Sequence, residues 1–83
     1  MEFSMSISGE ILWRLFVKAH ELAVHPDIAY NENVQHEAMD LAVWLSELVK
    51  EFELRMKNEG RQLPYNNSIF ANSEYEWYIQ HSE

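Results

Sequence analysis

Cysteine is missing from this sequence altogether, which excludes disulfides, thiolate metal sites and cysteine nucleophiles at a stroke. Glycine occurs twice, at Gly9 and Gly60, and proline twice, at Pro26 and Pro64. Two such distant glycines build neither a phosphate-cradling loop nor a G-x-S-x-G nucleophile elbow. No apolar run approaches the ~18 residues that span a bilayer. Met1 to Ser8 also lacks the basic start of a signal peptide, so the expectation is a soluble, cytoplasmic protein with no membrane partner. Basic residues are scarce as well, six against 14 acids, for a formal net charge of −8. Direct nucleic-acid binding, which needs clustered Lys and Arg, is therefore not expected. A basic protein partner suits this charge, because long-range attraction speeds the encounter. The same charge also keeps an ordinary cytosolic protein from associating, which is the plainer explanation.

The 83 residues allow one small domain, 1–83, whose core is marginal by itself. It is organised around the stretch 33–60. There Val34, Ala38, Leu41, Leu45, Leu48 and Phe52 are spaced alternately four and three apart, with Ala42, Val49 and Met56 thickening the stripe. That is the seam of a long amphipathic helix in a heptad-like register. Asn31 or Asn33 caps it, Gly60 ends it and Pro64 prevents resumption. Glu51 with Arg55 and Glu53 with Lys57 are spaced for i,i+4 ion pairs.

A first helix is predicted over 8–24, with Ser8 as N-cap and Glu10 in its first turn. It must stop before Pro26. Arg14, Lys18, Glu21 and His25 share one narrow wedge, and apolar residues occupy nearly all the rest, so one neighbouring helix cannot cover it. The wedge holds too few cations for a membrane-surface helix. Pro26 to Glu32 reads as a turn, and so short a connection implies an antiparallel helical hairpin. At 1.5 Å per residue the helices are roughly 25 and 40 Å long, so the second overhangs the first. The expected fold is an all-α hairpin of a short and a long helix with a small C-terminal element. Its surplus apolar surface predicts a homodimeric bundle.

Met1 to Ser6 reads as a frayed start, with Met5 as a second candidate initiator. The tail, 63–83, has no Lys or Arg and carries Tyr65, Phe70, Tyr75, Trp77 and Tyr78. So aromatic a segment argues against simple disorder. Ser73 followed by Glu76 is a capping-box pattern for a short helix over 74–81, although the alternation of Tyr75, Trp77 and Ile79 also suits a strand.

Four acids, Glu37, Asp40, Glu47 and Glu51, flank Trp44 on the long helix. With Tyr75, Trp77 and Tyr78 they are the candidate partner-binding residues, carboxylates for steering and rings for anchorage. The bland alternatives are a solvated acidic flank and rings that merely cap the end of the long helix. Glu37-x-x-Asp40, followed at once by Leu41, Ala42, Val43, Trp44 and Leu45, also resembles the second metal-binding half-motif of the all-α nucleoside triphosphate pyrophosphohydrolases of MazG type. That resemblance, about nine residues long, implies Mg²⁺ held by Glu37 and Asp40 against a triphosphate. The preceding helix departs from the family pattern, offering only Glu10 and Glu21, eleven residues apart. His20-Glu21 and His36-Glu37 open like the zinc motif H-E-x-x-H, but Val24 and Asp40 stand where the second His belongs. His20, on an apolar arc with Trp13, Phe16 and Val24, reads as a core histidine, and His81 carries no signal.

The functional expectation is a non-enzymatic acidic protein-binding module, with no metal and no cofactor. It would regulate or inhibit a basic protein or complex that handles nucleic acid. The alternatives are the nucleotide pyrophosphohydrolase using Glu37 and Asp40, and a purely structural dimerisation subunit.

Overall fold

The computed structural model describes residues 8–80. The start read as frayed, Met1 to Ser6, and His81 lie outside them. Every regular element among the described residues is helical. Helix α1, Gly9–Val24, begins where the Ser8 hydroxyl accepts the Ile11 amide at 3.2 Å. It ends where Pro26 holds His25 in extended backbone, φ −68° and ψ 134°.

The connection holds a single-turn helix, α2, Pro26–Ala29, where the sequence suggested only a turn. Pro26 opens it at the position where a missing N–H costs nothing, and His25 Nδ1 accepts the Asp27 amide at 3.1 Å. Asn31 then caps the long helix α3, Glu32–Asn58, by accepting the Val34 amide at 3.2 Å. At its far end the Gly60 amide donates to the Lys57 carbonyl at 3.1 Å, and the Arg61 amide to that of Met56 at 2.9 Å. This Schellman pair needs a left-handed residue at Gly60, whose φ is 71°.

The shorter helix packs along the longer one. A Cβ on Gly9 would run into the Phe52 ring, so only glycine fits there. At the other end of α1, Gln35 Nε2 donates to the Ala23 carbonyl at 3.4 Å. Phe16, Ala19 and Ala23 of α1 and Ala42, Leu45 and Val49 of α3 are all buried. The small alanines on both sides allow the backbones to approach closely.

The tail lies over one side of this two-helix layer. Ile69, Tyr75 and Tyr78 are buried with Phe16 and Val49 in one cluster. Tyr65 stacks on Trp13 at 4.6 Å between centroids and sits 6.4 Å from Phe52, so the tail covers α3 on one side at Phe52, while Leu54, one turn from the end of α3, stays 51% exposed. A 3-10 turn, Ser73–Tyr75, leads into α4, Glu76–Gln80. Its cap is Asn72, which accepts the Glu74 amide at 2.9 Å, one residue ahead of the Ser73 expected from the capping-box pattern. Glu76 instead accepts from Gln80 Nε2 at 3.1 Å.

Candidate protein-interaction surface

Which faces remain free is decided by how the tail is held. Glu53 is buried on α3, and its carboxylate accepts three hydrogen bonds from the tail. The donors are the Tyr65 hydroxyl at 2.7 Å, the Ser68 hydroxyl at 2.5 Å and the Ile69 amide at 3.0 Å. An ionised carboxylate accepts only, which suits a site surrounded by donors. One turn earlier, buried Lys50 Nζ donates to the Tyr78 carbonyl at 2.9 Å. Burial pulls the Lys50 ammonium below its usual range, with the Glu47 carboxylate partly opposing. Neither Glu53–Lys57 nor Glu51–Arg55 occurs among the ion pairs of the described residues. The expected Glu53–Lys57 pair gives way because the tail claims the carboxylate.

A second lock is aromatic. His20 Nδ1 and the Tyr78 hydroxyl are 2.8 Å apart, and His20 meets the rings of Tyr75 and Tyr78 edge-on at 5.2 and 5.5 Å. The hydroxyl can donate or accept, so which partner donates depends on the imidazole tautomer. Burial raises all three tail phenols, Tyr78 to about 12, with the Glu53 carboxylate adding to the shift at Tyr65.

The opposite side of the layer stays open. Trp44 is nine residues from Glu53, half a turn round α3 at about 100° per residue, and it is 53% exposed. Glu37, Asp40, Glu47 and Glu51 surround it, all exposed. Beside this ridge Val34 and Leu41 are exposed and Ala38 and Leu48 half-buried. On α1 the matching stripe is Ile11, Leu15, Lys18 and Leu22, spaced four, three and four apart, with Leu22 52% exposed. Two helices thus present apolar flanks on the side that the tail does not cover. The ridge was legible as acids around a tryptophan. The α1 stripe was not singled out, because a helix apolar nearly all round hides which arc stays uncovered; the 4-3-4 spacing was its one signal.

The proposed anchors on the tail need correction. Tyr75 and Tyr78 are 5% and 3% exposed, engaged with Phe16 and His20 inside the chain, and so cannot serve as surface anchors. Trp77 is partly exposed and rests edge-on against Tyr78 at 5.2 Å. The tail packs on the Glu53 side, away from Trp44, so these residues do not form one surface. The expected seam also divides. Leu45 is buried, and Phe52 is half-buried beside Gly9 and Tyr65, so both serve the chain's own packing. Val34, Ala38, Leu41 and Leu48 remain at least partly accessible.

Among the described residues no three His, Asp or Glu side chains converge on a point that could hold a metal ion. A cleft of about 470 Å³ between the end of α3 and the tail is lined by Leu54, Lys57, Arg61 and Phe70. Among the described residues the carboxylate lining it is that of Glu53, which already accepts three hydrogen bonds from the tail. No described helix is long and apolar enough to cross a membrane. The chain matches no protein-family model, and no characterised protein or solved structure is significantly similar to it.

Proposed function

We propose that this protein is a non-enzymatic interaction module, an acidic regulator or inhibitor that dimerises as antiparallel helical hairpins and binds a basic protein. The observation that carries this reading is Trp44, half exposed among four carboxylates on the side away from the tail. An indole supplies anchor area at low entropic cost, and the surrounding charges steer and orient. Carboxylates spaced along one helix edge also suit a protein whose own ligand is a phosphate backbone. An inhibitor of a nucleic-acid-handling protein is therefore the form of regulator favoured here. The plain dimerisation subunit is the second reading, supported by the apolar flanks beside the ridge. The pyrophosphohydrolase reading is less favoured, since among the described residues no third acid or His converges with Glu37 and Asp40 on a point that could hold Mg²⁺.

The test compares native protein and Trp44→Ala as baits in host lysate, with quantitative mass spectrometry. A protein of basic isoelectric point should be enriched on the native bait and lost from Trp44→Ala at unchanged Tm. Equal recovery on both baits would contradict the assignment of the ridge.

A further inference from the structure

The open face fits a second copy of this chain in one orientation, and this inference rests on the dimer proposed above. The face is apolar on both helices, Ile11, Leu15 and Leu22 on α1 and Val34, Leu41 and Leu48 on α3, but its two edges differ in charge. The α3 edge carries Glu37, Asp40, Glu47 and Glu51. The α1 edge carries Lys18, at the border between the apolar stripe and the polar wedge it shares with Arg14 and Glu21; it pairs with Glu21 at 3.6 Å, and both are exposed. Exposed pairs of this kind are weak and readily exchanged.

Two symmetric ways of stacking the faces exist. A two-fold axis across the helices sets α1 on α1 and α3 on α3. That apposes the acidic edge with itself, and like charges facing one another across an interface oppose binding. A two-fold axis along the helices instead sets α1 of each copy on α3 of the other and keeps every residue at its own level. Those levels follow from two contacts, Gly9 beside Phe52 and Ala23 beside Gln35. Interpolation puts Lys18 level with Leu41. Across the second axis, Lys18 therefore meets the acidic edge of the other copy within about 3 Å, along the helix, of Asp40. We propose that the protein forms a four-helix bundle with the axis along the helices, α1 packed on the partner's α3 and Lys18 paired with Asp40 twice per dimer. Glu47, Glu51 and the outer side of Trp44 then line the flank of the bundle, free for the basic partner.

Charge exchange on the full chain tests this, with the dimer dissociation constant measured by sedimentation on dilution. Lys18→Glu alone and Asp40→Lys alone should each weaken the dimer roughly tenfold, since each disturbs two symmetric pairs. The double variant, Lys18→Glu with Asp40→Lys, should recover most of that loss. If the native chain dimerises, Leu41→Asp disrupts the dimer and the double variant recovers nothing, the orientation is wrong while the dimer stands. A native chain that is monomeric at tens of micromolar overturns both. Both charge positions are exposed, so circular dichroism should report folded protein for every variant.

Discussion

Glu53 and Ile69 are sixteen residues apart, yet the buried carboxylate of one accepts the backbone amide of the other at 3.0 Å. That bond, with those from Tyr65 and Ser68, ties an irregular segment to the C-terminal part of a long helix. It also determines which side of the helical layer is covered and which stays open.

Removing the acceptor should release the tail. Glu53→Ala leaves three donors without their partner and should cost about 3 kcal/mol or more. Glu53→Gln is the sharper variant, because its amide group turns a donor toward donors. It should lower Tm and raise hydrogen exchange at Ile69 while α1 and α3 keep their helicity. Unchanged exchange at Ile69 would mean that the tail is held by its rings alone.

Gly9→Ala should destabilise the protein, even though alanine is the better helix former by about 1 kcal/mol. The added methyl meets the Phe52 ring. Thermal denaturation of Gly9→Ala beside the double variant Gly9→Ala/Phe52→Leu checks this, and the second change should restore part of the loss.

Alkaline pH should unfold the protein. Tyr65, Tyr75 and Tyr78 are all raised above their usual value near 10 by burial, Tyr78 to about 12. A raised folded-state pKa holds stability that is complete below the unfolded value and lost as pH climbs toward the folded one. Lys50, lowered by burial, works in the opposite direction, as one group against three. Absorbance at 295 nm and circular dichroism should therefore change together in a cooperative step above pH 10. Ionisation of all the tyrosines with no loss of helix would refute the buried packing of the tail.

Much of this fold was legible because helical periodicity and caps are local. Ser8, Asn31, Gly60 and the stripe from Val34 to Phe52 signal helix starts, stops and an apolar side by chemistry within a turn or two. Which part of the stripe faces α1 and which faces outward was not legible, since Leu41 and Leu45 are equally apolar. The tail was the least legible region. Tyr75 and Tyr78, three apart, share one side of a helical turn and go inside, whereas alternation had grouped Tyr75 with Trp77. The roles of Lys50 and Glu53 depend on contacts 28 and 16 residues away, which no local pattern encodes.

Charge reversal on the ridge should act on kinetics. Glu47→Lys with Glu51→Lys should mainly slow association of the captured basic protein and flatten its salt dependence, because exposed charges govern the encounter. Trp44→Ala should mainly speed dissociation, by roughly 2 kcal/mol or more for a hot spot. Surface plasmon resonance at two salt concentrations separates the effects. Equal changes in both rates for both variants would argue against this division of labour.

Whether the open face binds protein is tested most directly by sedimentation equilibrium of the native chain beside Leu41→Asp. Leu41 is 45% exposed, so the variant should fold, whereas an acid at buried Leu45 would damage the core instead. The native chain should sediment at about twice its 9.9 kDa mass at micromolar concentration, and folded Leu41→Asp at the mass of one chain. A native chain that is a cooperative monomer, with Leu41→Asp indistinguishable from it, would contradict the account.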